Sequence, residues 1–434
     1  MLTQKLAIVG GGVGMLSILD HIYSMSDSKF EIYVFMENTT GVGEAYKQAP
    51  DEFIMNTRND SISFFNHIND FQDWIACNHP TLSSTDYFVP RRVFGNYLNE
   101  VKKNILVKLK KNENNVHFLG LVSEIKKCGS IVSANTVYDN FDAIFTSIGF
   151  GSSFPIKENI SKIKSIPKEG TINIVGSGLS SIDWIILANK LRPDLRINVF
   201  SKNGIFPAVR SHFSESDFDN IFESKPELLD NPCLFKLLRL IKSECLKDPI
   251  NGEADFRNLL KPKRELREEL DIARTRIPIW QPLLYRSTKN YRKFFSGLPS
   301  RQKRLLKRHR SIFVNRRVMF PIRNAEIINS LIVDNKLTIE KKVVNKEFMV
   351  RENTIDCTCC YLALERFLKS INVTSNDGST LVDANFKACS KRNLYILGPA
   401  TNIDNYFTEV SSLTYLHAKE AVSDFLSINF GESK

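Results

Sequence analysis

Leu6, Ala7, Ile8 and Val9 form a short apolar run that stops on three glycines, Gly10, Gly11 and Gly12. From Val13 to Leu19 the apolar positions take helix-compatible spacing, so the pattern predicts a strand, a glycine turn and a helix. A second strand, Phe30 to Met36, ends on Glu37. The same order returns later. Thr171–Val175 reads as a strand, Gly176-Ser177-Gly178-Leu179-Ser180-Ser181 as a turn, and Ile182, Trp184, Ile185 and Leu187 as the apolar positions of a helix. The strand Arg196–Phe200 follows and ends in Ser201-Lys202-Asn203-Gly204 rather than in an acid.

A strand that turns on glycines into a helix can aim backbone N–H groups at a diphosphate, and the helix N-terminus favours negative charge. Candidate cofactor-binding residues are therefore Gly10, Gly12, Val13 and Gly14 in the first turn, and Gly176, Gly178, Leu179 and Ser180 in the second. Glu37 can accept hydrogen bonds from ribose hydroxyls, or it is a solvated acid at a strand end. Ser201 and Lys202 suit a 2′-phosphate, although Lys202 could equally be a surface lysine. The first turn departs from G-x-G-x-x-G: Met15 occupies the last glycine position and Gly14 comes one place early. These features predict FAD on the first turn and NADPH on the second, with NADH open. A purely structural glycine turn is the alternative at the first.

The rest of the pattern predicts an α/β protein with two Rossmann-like dinucleotide-binding domains and a helical insertion. The first segment, to about 165, holds a helix over 93–111 and strands at 116–119 and 121–125. It also holds the apolar strand 141–148 running into Gly149, and such a glycine can bring backbone close to a nucleotide. Residues 166–210 form the second nucleotide unit. From 211 to 330 strands vanish, and Pro226, Pro232, Pro249 and Pro262 separate helical stretches such as 233–246 and 265–276. Short strands are expected again over 331–348, and 354–362 reads as a buried strand. Asn393–Leu397 is another strand running into a glycine, Gly398. The last helix begins near Ser411, with Leu413, Leu416, His417, Ala421 and Phe425 on one face. Trp184 and Trp280 read as packing residues.

The chain has 434 residues and a formal net charge of +11, and much of the excess lies between Arg301 and Arg323. Leu305, Leu306, Ile312 and Phe313 interleave with those charges, so an amphipathic helix is expected, with His309 on the surface. A solvated face, or cations that attract an anionic cofactor or substrate, explains the run better than nucleic acid does. The eight cysteines are scattered and suit reduced thiols. Cys357 and Cys360 have C-x-x-C spacing, but in a strand they would face opposite sides, and no His or Cys pair completes a metal set. No apolar run approaches a membrane span, and Lys5 already lies in the first strand, so no signal peptide and a cytoplasmic location are expected.

Several stretches, in order, resemble one family: the bacterial FAD/NAD(P)-binding proteins of the YdhS-like type, relatives of the two-dinucleotide-domain flavoprotein monooxygenases. They are Gly41–Tyr46, Phe53–Thr57, Pro90–Leu98, Gly176–Asp183 and Ser201–Pro207, then Trp280, Arg308-His309, Arg316-Arg317, Leu397–Pro399 and Glu409. The chain departs from the family where Lys202 and Asn203 replace two arginines. The resemblance implies an FAD-binding domain split between 1–165 and 346–434, an NAD(P)H-binding domain over 166–345, and a flavin where the two meet. It puts Gly41–Tyr46, including Tyr46, and Phe53–Thr57 against the flavin. It starts a helix near the cofactor at Arg91 and Arg92, which could meet a phosphate or lie exposed.

Asn56 and Arg210 are the candidate catalytic residues. Asn56 could orient flavin or oxygen, or be a turn residue. Arg210, with His212, could bind the nicotinamide nucleotide or the substrate. Asp183 reads as a local cap or pair, and Glu409, near the start of the last helix, could approach the site or lie away from it. The implied reaction is an NAD(P)H-consuming hydroxylation by molecular oxygen through a C4a-hydroperoxyflavin. Its substrate is small and polar, an amino acid or amine. A flavin oxidoreductase without oxygen insertion is the alternative, and a flavin-bound interaction or nucleic-acid protein the weaker one.

Overall fold

The computed structural model describes residues 3–37, 42–43, 45–47, 49–62, 70–85, 87–126, 129–149, 155–213, 219–261, 265–358, 362–374, 380–389, 393–401, 405–408 and 410–431. In chain order the strands are β1 (Gln4–Val9), β2 (Phe30–Phe35), β3 (Asn115–Leu119), β4 (Val122–Ile125), β5 (Ile131–Ser133), β6 (Thr136–Tyr138) and β7 (Ala143–Thr146). They continue with β8 (Thr171–Val175), β9 (Arg196–Ser201), β10 (Val209–Arg210), β11 (Phe320–Pro321), β12 (Leu337–Lys341), β13 (Thr354–Asp356) and β14 (Leu394–Ile396). Two compact units emerge. One comprises Met1–Asp51, Thr57–Phe154 and Cys360–Lys434, the other Glu52–Asn56 and Pro155–Cys359.

In the first unit a parallel sheet runs in the order β14-β7-β1-β2-β3. Leu6, Ala7, Ile8 and Val9 are all buried, as expected of a strand covered on both faces. One face carries Ala7, Val9, Phe35, Ile144, Leu394 and Ile396, packed with Leu364 and Leu368 of the helix Leu362–Ser370 and with Ile371 just past its end. The helix Val13–Met25 packs on the C-terminal helix Ser411–Phe430 and on the helix Arg91–Lys111. A small antiparallel sheet, β4-β5-β6, is inserted before β7.

The second unit repeats the plan with a parallel sheet in the order β12-β9-β8-β13. Helices Leu179–Leu191 and Ile322–Val333 pack together beside it. Between β10 and β11 the described residues form a series of helices, the first beginning at Ile221 and the last ending at Arg317. The two short strands close the base of this module, with Val209 opposite Phe320 and Arg210 opposite Pro321. Gln281 binds the same neck: its Oε1 accepts from the Ser211 amide and its Nε2 donates to the Val209 carbonyl, both at 2.9 Å.

Several sequence expectations change. Residues 331–348 are not mainly strand: the helix Ile322–Val333 buries Ala325, Ile328 and Leu331 at helical spacing, and only β12 follows before another helical turn, Lys346–Met349. Among the described residues of the 354–362 segment, strand is found only at β13, whose partner is β8 in the second sheet. The sequence drew domain limits at 165 and 345. In the structure the helix Ile156–Ser165 packs on the helix Leu179–Leu191, and it too falls in the second unit. The basic stretch forms two helices, Ser300–Arg308 and Arg310–Arg317, meeting at an exposed His309. In the last helix Leu413, His417, Ala421 and Phe425 are buried at four-residue spacing, whereas Leu416 is 41 % exposed on the other side. Cys360, Gly41, Glu44 and Glu409 lie outside the described residues.

Candidate functional site

Both glycine turns sit at the carboxyl ends of central parallel strands, where strand order diverges and open α/β sheets bind ligands. In the first, the Gly10 amide donates to the Phe35 carbonyl at 2.9 Å and the Ser147 amide to the Val9 carbonyl at 2.8 Å. Gly10 has φ +121°, and a Cβ there would lie 2.6 Å from the Ser147 carbonyl carbon. At Gly14 a Cβ would lie 2.6 Å from the Ser147 Cβ and 3.5 Å from the Thr414 methyl. The early glycine is thus where the helix Val13–Met25 crosses the end of β7, while Met15 fills the core. Ser147, the hub of these approaches, was missed in the sequence because nothing local marks it.

Gly12 caps the helix with no side-chain hydrogen bond, and its first turn carries no acid. The leading amides are left for an anion such as a diphosphate. Gly43, at φ +79°, lies opposite: a Cβ on Gly12 would be 3.6 Å from its Cα. The Gly43 carbonyl accepts from the Tyr46 and Lys47 amides at 3.2 Å each. Tyr46 crosses Phe94 edge-on at 4.9 Å, and Gly95 lets the Tyr46 backbone approach. Burial pushes the Tyr46 phenol above its ordinary value, against Arg91 and a hydrogen bond with Ser411. Arg91 is half-buried at the start of its helix, whereas Arg92 is exposed and paired with Asp51. Glu37 is exposed just past β2. Gly149 and Gly398 both have positive φ, and a Cβ at Gly398 would be 3.7 Å from Ser147 Oγ. The trough of glycine backbone and uncapped amides fits a dinucleotide diphosphate.

The second turn has the same frame. The Gly176 amide donates to the Phe200 carbonyl and the Cys357 amide to the Val175 carbonyl, both at 2.7 Å. Gly176 has φ +104°, and a Cβ there would be 3.1 Å from the Cys357 carbonyl oxygen. Gly178 caps the helix, again without a side-chain hydrogen bond or an acid in the first turn, and a Cβ there would meet nothing within 4 Å. Leu179 and Ser180 open the helix half-buried. Ser181 is fully buried, and its Oγ has no hydrogen-bond partner among the described residues. Ser177 Oγ donates to the Ile205 carbonyl at 2.6 Å. Ser201 Oγ accepts from the Gly204 amide at 2.9 Å, and Lys202 is exposed. An open, acid-free helix start again fits a diphosphate.

The five residues Glu52–Asn56 belong to this second unit. Glu52 pairs with Lys190, Phe53 meets Trp184 edge-on at 5.0 Å, and Asn56 is half-buried. Arg210 lies in the neck of the helical module, buried, with its guanidinium 4.2 Å from the Tyr285 ring and 4.6 Å from that of Phe213. His212 is exposed and Asp183 buried. Arg317 reaches the same Tyr285 ring at 4.3 Å and donates to Thr288 Oγ1 at 2.5 Å. Arg316 pairs with Glu269 at 2.6 Å inside the module. A small pocket lies beside that pair, walled by Ile205, Phe206, Pro207 and Ile312, with Asn315 at its edge. Part of the basic stretch is therefore internal wiring, where a sequence of alternating charges suggests solvent. Among the described residues no group of three or more His, Cys, Asp or Glu could hold a metal ion, and no helix is long and apolar enough to cross a membrane.

Residues 7–149 match the FAD-NAD(P)-binding family model. No curated protein sequence matches the chain. Among solved structures, the fold is similar to an ornithine N-hydroxylase from Kutzneria sp. 744, solved with reduced FAD, NADP+ and L-ornithine. That likeness has a TM-score of 0.55 and 11 % identity, over 98 % of this chain and 99 % of that one. It is also similar to L-lysine 6-monooxygenase from Pseudomonas syringae, with a TM-score of 0.57 and 11 % identity over 97 % and 98 % of the two chains. The FAD-bound cadaverine monooxygenase from Erwinia amylovora gives a TM-score of 0.57 and 9 % identity, over 100 % of this chain and 95 % of that one. The shared architecture is the α/β fold with two dinucleotide-binding units.

Proposed function

We propose that this chain is a flavin-dependent oxidoreductase that holds FAD on its first unit and NAD(P)H on its second. In this reading it hydroxylates a small amine or amino acid with molecular oxygen. The observation that carries it is the duplicated turn: Gly10 and Gly176 make the same amide-to-strand hydrogen bond, each below an uncapped helix start. The FAD-NAD(P)-binding match over 7–149 and the end-to-end likeness to amine and amino-acid monooxygenases support it. The narrower YdhS-like assignment stays part of the proposal.

Bound FAD would accept hydride from the pyridine nucleotide and supply the oxygen chemistry. The chain's own residues hold the cofactors. The amides after Gly12 face a diphosphate, and Glu37 accepts from ribose hydroxyls. The amides after Gly178 hold the second diphosphate, and Ser201 and Lys202 face its ribose. Asn56, Arg91, Arg92 and Arg210 remain candidates for orienting cofactor or substrate. The helical module, with its pocket beside Glu269 and Arg316, is where substrate choice resides.

The test is NADPH and oxygen consumption by the FAD-loaded protein with ornithine, lysine and cadaverine as a starting panel, with hydroxylamine product measured. Substrate-dependent turnover with matching product supports the reading. Rapid NADPH oxidation that no substrate changes favours an oxidoreductase without oxygen insertion.

A further inference from the structure

The two units place different chemistry at one architectural position. In the first unit, β3 flanks β2, and Leu119 lies opposite Phe35. β3 then runs into Gly120 and Leu121, uncharged, while β2 runs on to Glu37. In the second unit, β12 takes the place of β3. Its last residue, Lys341, lies directly opposite Ser201, and Lys342 follows. The Lys342 amide donates to the Ser201 carbonyl at 2.9 Å. Gly204, at φ +66°, closes the turn against Lys341: a Cβ there would be 2.9 Å from the Lys341 Cβ. Lys342 Nζ stands 5.4 Å from the Phe200 ring centroid. Three exposed lysines, 202, 341 and 342, thus gather around one buried serine at the end of β9. Strand alternation puts Lys341 on the face of Ser201, and Glu340 on the other face with Lys342 and Phe200, so the cluster carries one acid against three lysines.

We infer that Lys341 and Lys342 complete a subsite for the 2′-phosphate of NADP(H), with Ser201 and Lys202 on the other side. The inference rests on the pyridine-nucleotide reading of the second unit. In such sheets the adenosine ribose lies over the end of the strand that follows the turn helix. An acid there accepts ribose hydroxyls and repels a phosphate, and that is what Glu37 offers in the first unit. Cations and a hydroxyl there attract the phosphate dianion through charge-assisted hydrogen bonds. The lysines come from a strand more than a hundred residues away, so the subsite depends on the β9–β12 register.

The experiment is calorimetric titration of the purified full-length protein with NADP+, NAD+ and 2′,5′-ADP at low salt. The comparison is with Lys341→Gln/Lys342→Gln and with Lys341→Arg/Lys342→Arg. The wild type should bind NADP+ about tenfold or more tightly than NAD+, and added salt should erode that preference. The glutamine pair should weaken NADP+ and 2′,5′-ADP about tenfold and leave NAD+ unchanged, while the arginine pair keeps the preference. Wild-type binding of both dinucleotides with equal affinity, or an equal loss of both in the glutamine pair, overturns the subsite and leaves the second unit a nucleotide site. Failure of the wild type to bind either dinucleotide overturns the underlying reading as well.

Discussion

At Gly10 and at Gly176 the chain makes the same move twice, but the surroundings differ. Each amide donates to the carbonyl of the neighbouring strand, Phe35 at 2.9 Å and Phe200 at 2.7 Å, and each glycine has positive φ. In the first unit the turn is locked by protein: Gly10 and Gly14 both abut Ser147, and Gly12 faces Gly43. In the second, Gly178 faces open space. Packing alone therefore explains the glycines at 10 and 14. It does not explain Gly178, where the missing side chain leaves room for a bound group. The strand ends differ too, with Glu37 after one and Ser201-Lys202 after the other, and under the proposed function the two similar frames meet different ribose chemistry.

The strongest way to break the comparison is at the locked turn. Gly10→Ala should destabilise the protein by about 4 kcal/mol, through backbone overlap with Ser147 and a left-handed φ. Gly14→Ala should cost about 3 kcal/mol, partly recovered by Ser147→Gly, because the clash is with that side chain. Urea unfolding of the three variants checks both figures, and FAD retention should fall in parallel.

The next effect is a pH dependence confined to the first unit. His21 is buried beside Tyr415, with Nε2 3.0 Å from the Tyr415 carbonyl, and the Tyr415 hydroxyl donates to Asp20 at 2.6 Å. Burial, with Lys419 adding to it, lowers its pKa from 6.5 to about 4. The unfolded chain therefore takes up the proton before the native state does. Stability present above pH 6.5 is lost as pH falls towards 4, by roughly 3 kcal/mol for this group. The stability difference between wild type and His21→Gln should follow that curve. A difference that stays flat from pH 7 to 4 would contradict it.

The smallest stability effect belongs to the open turn. Gly178→Ala should shift unfolding by less than about 1 kcal/mol, since the new methyl meets no protein atom. Under the proposed function pyridine-nucleotide affinity should nevertheless fall severalfold, because the methyl enters the space the proposal gives to the diphosphate. An affinity as unchanged as the stability would remove the distinction between the turns.

Much of this frame was legible in the sequence, because it is local. The runs Leu6–Val9 and Thr171–Val175, their glycines and the following helices all involve neighbours in the chain. What was hidden depends on pairings across the sheet or through the core. Nothing near Ser147 marks it as the residue that fixes Gly10 and Gly14. Lys341 gains meaning only from its register with Ser201. Arg316 reads as part of a solvated basic face until Glu269, far back in the chain, is seen to pair with it. Leu416 fits an apolar helical pattern, yet the C-terminal helix turns it to solvent.

The central claim is that two nucleotide-binding units serve one redox reaction. An anaerobic titration of the purified, FAD-supplemented protein with NADPH, followed by visible absorbance, tests it most directly. The expected result is a yellow protein holding stoichiometric FAD whose flavin absorbance bleaches as NADPH is added. A colourless protein that retains no FAD, or a bound flavin that neither NADPH nor NADH reduces, would contradict it.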